Sequence, residues 1–252
     1  MIPKTVHYVW FSEEIPEKVQ RYIDSWQKIM PDYKFIKWNA ENFDINSVEW
    51  VRQAVEAKKW AFATDYIRLW ALYSYGGIYL DCDVEVFKPF DDLLSLPYFL
   101  GREYSKGIIE MATLVAEPKQ EWVKNCLEYY KDRSFIMQNG EFSMEPIPRI
   151  MLRILGKKYG LKRIKNVQEF DENSEEVQIL PAEFFSPKPW DSEKFTIAEN
   201  TYSVHYFEKS WNPPKKWYSS VLHKAKHFVR KVVGERRYLD FMWKIYVNAG
   251  LN

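Results

Sequence analysis

The stretch AFATDYIRLWALYSYGGIYLDCD, at residues 61–83, predicts a helix, a glycine turn and a strand in immediate succession. The helical part is apolar on nearly every side, which is typical of a buried helix. Gly76-Gly77 predicts where the helix ends, because glycine readily adopts the backbone conformation found there. The strand at 78–80 then runs directly into Asp81 and Asp83. The stretch therefore indicates a buried helix whose following strand ends in two carboxylates.

Strand and helix patterns continue on both sides of this stretch. Upstream, β-branched and aromatic residues predict strands at 4–11 and 33–38, and an apolar face between them predicts a helix at 17–30. The order strand, helix, strand favours a parallel sheet and therefore an α/β fold. The further predicted elements are a helix at 49–75, broken near Lys58-Lys59, strands at 84–87 (continuing 78–80), 98–101, 111–116, 179–181 and 202–206, and helices at 119–131 and 146–159.

Composition narrows the function classes. The 252 residues allow one large domain, or one domain with a small appendage. A net charge of +1 argues against a protein built to bind nucleic acid. Two cysteines exclude a disulfide scaffold and suit a reducing compartment. No stretch has the character of a secretion signal or a membrane span, so we expect a cytoplasmic protein, soluble or peripheral on the inner face of the membrane.

Asp81 and Asp83 form the only D-x-D in the chain. In an open α/β sheet, ligands lie beyond the carboxyl ends of the strands. Two carboxylates at that edge can both reach one divalent cation, or one can bind a cation and the other a hydroxyl group. A solvated acidic turn is the alternative for a bare D-x-D, because so short a motif often occurs by chance.

Asp65 and Arg68 are the charged residues within the apolar part of the helix. They are three residues apart and therefore lie on one face of it. Charges within a buried helix are costly unless they pair with each other or bind a ligand. Asp65 and Arg68 therefore have two possible interpretations, a structural ion pair or part of a ligand site shared with the D-x-D.

The segment from Ala61 to Arg68, with Tyr73-x-x-Gly76-Gly77-Ile78-Tyr79-Leu80-Asp81-Cys82-Asp83, resembles a known family. It is similar to the D-x-D glycosyltransferases of the capsular-polysaccharide and initiating-mannosyltransferase type (family 32), with the glucosylating clostridial toxins as more distant relatives. The opening Ile2-Pro3-Lys4-x-x-His7-Tyr8-x-Trp10 and the late His205-x-x-x-x-Ser210-Trp211 resemble the same family.

This resemblance implies a GT-A fold and a retaining transfer of a sugar from a nucleotide-diphosphate donor, with Mn²⁺ or Mg²⁺ as the cofactor. It implies that Asp83 binds the metal directly. Asp81 would contact ribose or sugar hydroxyls and reach the metal through water. The remaining donor contacts that it implies are Asp65 and Arg68 on the sugar hydroxyls, Tyr79 in the nucleotide pocket, Trp10 against the base, and Ser210 and Trp211 over the diphosphate.

Several residues outside the motif have two interpretations each. His205 is either a third metal ligand or a hydrogen-bonded histidine at a strand end. Trp211 either donates its indole N–H to a phosphate oxygen or packs in the core. Glu103 and Glu110 could contact the acceptor, but we expect both to be solvated surface carboxylates.

The chain divides into a predicted catalytic domain, residues 1–214, and a basic helical tail, residues 215–252. Apolar residues recur at helical spacing in this tail, which makes it amphipathic. Docking on an anionic membrane leaflet and ordinary packing on the domain are both open.

Together these patterns predict a metal-dependent retaining glycosyltransferase. Its partners would be a UDP- or GDP-sugar and a saccharide or lipid-linked acceptor, in polysaccharide synthesis such as that of a capsule. The alternatives are a hydrolytic metalloenzyme and a non-catalytic nucleotide-sugar-binding protein of the same fold. A phosphoryl-transfer or hydrolytic enzyme should carry more metal ligands near Asp81 than the sequence offers.

Overall fold

The computed structural model describes residues 1–104, 108–190 and 192–208, and towards the C-terminus residues 232–234, 237–238, 240–242 and 244–245. The helices of these parts are α1 (Glu17–Ile29), α2 (Glu49–Glu56), α3 (Trp60–Tyr75), α4 (Glu121–Glu128), α5 (Ile147–Lys158) and α6 (Ala182–Phe185). The strands are β1 (Thr5–Val9), β2 (Lys34–Trp38), β3 (Gly77–Leu80), β4 (Val84–Val86), β5 (Tyr98–Arg102), β6 (Ile109–Ala116), β7 (Leu161–Arg163), β8 (Val177–Ile179) and β9 (Ser203–His205).

The central sheet has five strands in the order β2-β1-β3-β6-β5. β1 pairs in parallel with β2 and with β3, whereas β6 is antiparallel to both of its neighbours. Four of the five strands therefore run in the same direction. Helices cover both faces, so the predicted α/β fold with a mostly parallel sheet is confirmed.

Two hydrophobic cores lie on opposite faces of this sheet. In β3, Tyr79 belongs to one core, whereas Ile78 and Leu80 belong to the other. This division follows from the alternation of side chains along a strand. The first core packs helices α2 to α5 against the sheet, and the second packs α1 and α6. β3 is buried on both faces, so the position of its carboxyl end is fixed by packing from both sides.

The predicted continuation of β3 into residues 84–87 is wrong. The chain turns at Asp81, where its carbonyl accepts a hydrogen bond of 3.1 Å from the Val84 N–H. β4 then pairs antiparallel with β9 in a separate two-stranded sheet, with Val84 opposite His205. The Trp26 indole holds β4 in place by donating to the Val84 carbonyl at 2.8 Å. A strand of three residues does not reveal in its sequence which partner it pairs with.

The break predicted near Lys58-Lys59 is confirmed, because α2 ends at Glu56 and α3 begins at Trp60. The glycine turn is also where it was predicted, with Gly76 at a φ of 64° after the last helical residue. The next residue, Gly77, has a φ of 104°, and a Cβ there would lie 2.4 Å from the Thr5 carbonyl oxygen. Only glycine therefore lets β3 begin so close to β1.

The strand predicted at 179–181 lies slightly earlier, as β8, and pairs with β7, which the sequence did not indicate. The predicted boundary between residues 1–214 and 215–252 falls outside the described residues. In the described part of the tail, Asp240 accepts from Arg163 at 2.8 Å. Within the residues that the structure describes, no helix is both long and apolar enough to cross a bilayer.

His7 ties β1 and β2 to the glycine turn from within the core. The Trp38 indole donates to His7 Nδ1 at 3.1 Å, and His7 Nε2 lies 2.8 Å from the Gly76 carbonyl oxygen. Because an indole N–H can only donate, Nδ1 must accept, and the ring hydrogen is on Nε2, which donates to Gly76. Burial lowers the pKa of His7 to about 4. The fold therefore requires a neutral imidazole at this position.

We expect His7 to make folding stability depend on pH between about 6.5 and 4. In this range the unfolded chain protonates the imidazole and the folded chain does not, so the free energy of unfolding falls as the pH falls. The loss attributable to His7 should reach about 2–3 kcal/mol. Urea unfolding of wild type and His7→Gln at pH 7 and pH 4.5 measures it, because the variant lacks this titration. Equal losses of stability in both proteins would contradict the assignment.

Candidate metal and sugar site

The site begins with a buried cation on α3. The Arg68 guanidinium lies 3.2 Å from Asp65 Oδ1 and 3.2 Å from Asp81 Oδ1, and it donates to the Met111 carbonyl at 2.7 Å. Asp65 and Arg68 are buried, while Asp81 is partly accessible. Arg68 thus pairs with its own helix neighbour and also with the D-x-D. Ligand binding by Asp65 and Arg68 stays a prediction.

Tyr79, two residues before Asp81 in the chain, contacts the Asp81 carboxylate. Its hydroxyl donates to Asp81 Oδ1 at 2.7 Å, and the Arg68 guanidinium lies 4.7 Å from the centre of its ring. Tyr79 is only 1% exposed. Its main contact in this structure is therefore with Asp81 and Arg68, within the core.

Asp83 faces a histidine that comes from the other end of the chain. His205 Nε2 lies 3.4 Å from Asp83 Oδ2, and the same oxygen accepts from the Glu208 N–H at 2.9 Å. The pairing of β9 with β4 produces this contact, because β4 follows directly after Asp83. Asp81, Asp83 and His205 each offer one ligand atom, and these atoms lie within 4.8 Å of one another.

Glu110 is a part of the site whose role the sequence did not reveal. Its Oε1 lies 3.1 Å from His205 Nδ1 and accepts from the Ala112 N–H at 2.8 Å. Glu110 is 3% exposed and Glu103 is 5% exposed. The expectation that both are solvated surface carboxylates is therefore wrong. Glu110 is in the eight-residue strand β6, which is buried throughout and lies inside the sheet between β3 and β5.

Burial and charge act in opposite directions on these groups. Burial raises the pKa of Asp65 to about 7, although the adjacent Arg68 lowers it. Burial likewise raises the pKa of Asp81 despite the same arginine. For His205, burial alone would lower the pKa, but the carboxylates of Asp83 and Glu110 raise it well above its usual value. An extra positive charge is thus favoured at this end of the site.

The donor set suits a divalent cation of the Mn²⁺ or Mg²⁺ type. Carboxylate oxygens are the preferred ligands of hard cations such as Mg²⁺ and Mn²⁺, and imidazole is a common ligand of transition-metal ions. The stabilisation of positive charge by three carboxylates, Asp81, Asp83 and Glu110, is consistent with this use. The residues present therefore fit a metal ion at the D-x-D.

The other predicted donor-binding residues are Trp10, Ser210 and Trp211, and the structure describes only Trp10. Trp10 follows β1, and its indole donates to the Glu14 carbonyl at 3.0 Å. The end of β1 lies beside the D-x-D, because Cys82 Sγ is 3.5 Å from the Val9 carbonyl oxygen. Ser210 and Trp211 lie outside the described residues.

Residues 16–100 match the family described as a glycosyltransferase sugar-binding region containing a DXD motif. This region includes Asp65, Arg68, Tyr79 and both aspartates of the D-x-D. The resemblance to D-x-D glycosyltransferases is confirmed at this level, while the family-32 and capsule assignments stay predictions.

Several curated relatives carry glycosyltransferase names. The chain is 34% identical over 111 residues to inositol phosphoceramide mannosyltransferase 3 of Schizosaccharomyces pombe, which covers 42% of this chain and 31% of that protein. It is 28% identical over 195 residues to the lactosylceramide 4-alpha-galactosyltransferase of Mus musculus, covering 73% of this chain and 48% of that protein. Among solved structures, PaToxG glycosyltransferase matches with a TM-score of 0.48 at 17% identity, covering 62% of this chain and 68% of that one. The chain spans about a third of the length of the first curated relatives that it matches.

We expect Arg68→Met to destabilise the protein by about 3–5 kcal/mol, because it leaves two carboxylates without their buried cation. Urea unfolding without metal or nucleotide measures this loss. Arg52→Met is the matched control. Arg52 also pairs with two carboxylates, Glu49 and Glu56, but on the exposed surface of α2. Its loss should stay within about 1 kcal/mol. Equal losses in the two variants would contradict a buried charge cluster.

Proposed function

We propose that this protein is a metal-dependent glycosyltransferase that uses a nucleotide-diphosphate sugar and retains the anomeric configuration. The observation that carries the proposal is the convergence of Asp81, Asp83 and His205 within 4.8 Å. Two of these residues, Asp81 and Asp83, lie within the segment that matches a DXD sugar-binding region. A metal site and a sugar-binding motif at one strand end together favour transfer from a charged sugar donor.

Asp83, Asp81 and His205 would hold Mn²⁺ or Mg²⁺. The ion would neutralise the charge that develops on the departing diphosphate. The Glu208 N–H, which already donates to Asp83 Oδ2, keeps that carboxylate directed towards His205. The chain thus supplies a ligand set whose orientation is fixed before the donor arrives.

Asp65 and Arg68 would bind hydroxyl groups of the donor sugar. Arg68 is held in place by Asp81 and the Met111 carbonyl, so its position does not depend on the ligand. Asp65 has Arg68 on one of its oxygens, at 3.2 Å. The carboxylate can therefore accept a hydrogen bond from a sugar hydroxyl on its other oxygen.

A retaining mechanism without a protein nucleophile fits the carboxylates of this site. Asp65 and Asp81 are paired with Arg68, and Glu110 is paired with His205. We propose front-face attack: the acceptor oxygen bonds to the anomeric carbon as the bond to the diphosphate breaks on the same face. The acceptor proton passes to the leaving phosphate oxygen. The protein contributes positioning and charge stabilisation.

The acceptor is proposed to be a saccharide or a lipid-linked sugar. Two of the similar proteins are named for ceramide acceptors, which favours a glycolipid. The predicted role in polysaccharide or capsule synthesis is the alternative. A panel of UDP- and GDP-sugars, with glycolipid and oligosaccharide acceptors and Mn²⁺, distinguishes them by the product formed. Donor hydrolysis without transfer to any acceptor would favour the hydrolytic interpretation.

We expect Asp83→Asn to abolish donor turnover and to weaken Mn²⁺ binding, because it removes one anionic ligand. The fold should survive the change, because the Asp83 side chain is partly exposed and asparagine keeps an oxygen that can accept from the Glu208 N–H. The control is Asp24→Asn, which changes an exposed carboxylate bonded to Gln20 on α1 and should leave turnover intact. Wild-type turnover by the Asp83 variant at saturating Mn²⁺ would refute the metal assignment.

We also propose that the tail at 215–252 binds an anionic membrane leaflet, which would place the protein peripherally on the inner face of the membrane. Most of the tail lies outside the described residues. In its described part, Val232 and Phe241 are 67% and 60% exposed. Apolar side chains in a basic segment favour a membrane interface.

We expect the protein to sediment with anionic vesicles and not with neutral ones, and salt should weaken this binding. Charge reversal at Lys224, Arg230 and Lys231 should release the protein without changing donor hydrolysis in solution. No recruitment by anionic vesicles at low salt would refute the membrane proposal and leave a packing role for the tail.

A further inference from the structure

We infer that Glu110 is a positioning residue that fixes which nitrogen of His205 faces the cation at the D-x-D. The inference rests on the proposed metal site, because it concerns how one of its ligands is oriented. Glu110 does not belong to the metal-ligating group, which consists of Asp81, Asp83 and His205. It would act on the cation through the imidazole ring.

The contact between Glu110 and His205 joins the two sheets of the site. Glu110 is in β6 of the central sheet, whereas His205 is in β9, which pairs with β4 in a separate sheet. Their side chains meet at 3.1 Å, between Oε1 and Nδ1. Glu110 is almost fully buried, and the Ala112 N–H fixes the same oxygen at 2.8 Å. The carboxylate therefore has a defined position before any metal binds.

The chemistry of this contact determines the tautomer of His205. A carboxylate oxygen that accepts from a backbone N–H can only accept from the ring as well, so Nδ1 carries a hydrogen. Nε2 is then the nitrogen that can give up its hydrogen and ligate a cation. It is also the nitrogen that faces Asp83 Oδ2, at 3.4 Å. The ring nitrogen that is available to the metal, Nε2, therefore points towards the proposed metal site.

The His205 imidazole is also contacted on its face, by the phenyl ring of Phe207. The ring centres of His205 and Phe207 are 3.8 Å apart. Phe207 has a φ of 56°, an unusual backbone conformation for a residue with a side chain. This conformation brings the phenyl ring back over the imidazole. With Phe207 on its face and Glu110 on Nδ1, the imidazole is held with Nε2 towards Asp83.

Residues that orient a metal-ligating histidine in this way typically change metal affinity by about 10- to 100-fold when they are removed. We therefore expect Glu110→Ala to weaken Mn²⁺ binding by about this factor. Electron paramagnetic resonance of free Mn²⁺ measures the affinity without donor or turnover. Glu110→Gln keeps an oxygen acceptor for Nδ1 and should stay within a few-fold of wild type. Glu103→Ala is the control for removing an equally buried carboxylate and should not change the affinity.

A double-mutant cycle separates positioning from charge. If Glu110 acts through the ring, Glu110→Ala should weaken Mn²⁺ binding in the wild type and have no further effect in His205→Ala. The same loss in both backgrounds would overturn the inference, because it would mean that Glu110 acts on the cation directly by charge. If Glu110→Ala does not fold, Glu110→Leu fills the space without an acceptor and replaces it in the cycle.

The tautomer itself is observable with Cd²⁺, a diamagnetic ion that binds imidazole. Long-range proton–nitrogen correlation spectra should show hydrogen on Nδ1 and metal on Nε2 in wild type, and loss of this single pattern in the Glu110→Leu variant. Metal on Nδ1 in the wild type would overturn the inference. If wild type binds neither Mn²⁺ nor Cd²⁺, the metal proposal fails as well. If it binds both and Glu110→Ala binds equally well, only the role of Glu110 fails.

Discussion

The buried Arg68 guanidinium is the interaction on which the site depends. It faces Asp65 and Asp81 at 3.2 Å each, and it also bonds to the backbone of β6. It therefore connects α3, the end of β3 and the neighbouring strand through one side chain. Without this cation, two carboxylates would face each other in a region of low dielectric, where repulsion is strong. The first aspartate of the D-x-D can lie at the edge of the core because Arg68 on α3 neutralises its charge.

The sequence was sufficient where the relevant contacts are local. The succession of α3, Gly76-Gly77 and β3 could be predicted because helix periodicity, glycine geometry and strand composition all act over a few residues. The proximity of Asp65, Arg68 and Asp81 follows from the same local geometry, since α3 packs back along β3. The α/β fold followed from the order of these elements along the chain.

The sequence was insufficient where a contact depends on long-range pairing. Glu110 and His205 are 95 residues apart, and nothing near either residue indicates the other. The burial of Glu110 follows from the position of β6 between β3 and β5, which is a property of the whole sheet. The separation of β4 from β3 has the same origin, because its partner β9 lies about 120 residues downstream. The signal available was the long apolar run around Glu110, which favours a buried position for any charge within it.

The pairing of β4 with β9 also sets an order of assembly during synthesis. The central sheet needs only the first 116 residues, which leave the ribosome well before His205 does. Throughout that interval Asp83 has no imidazole beside it, and Glu110 occupies a pocket whose histidine has not yet been made. The nascent chain can therefore pair the strands of its central sheet while the ligand set is still incomplete. Asp83 and Glu110 carry negative charge before His205 reaches them. The docking of β9 is therefore favoured by charge as well as by strand pairing.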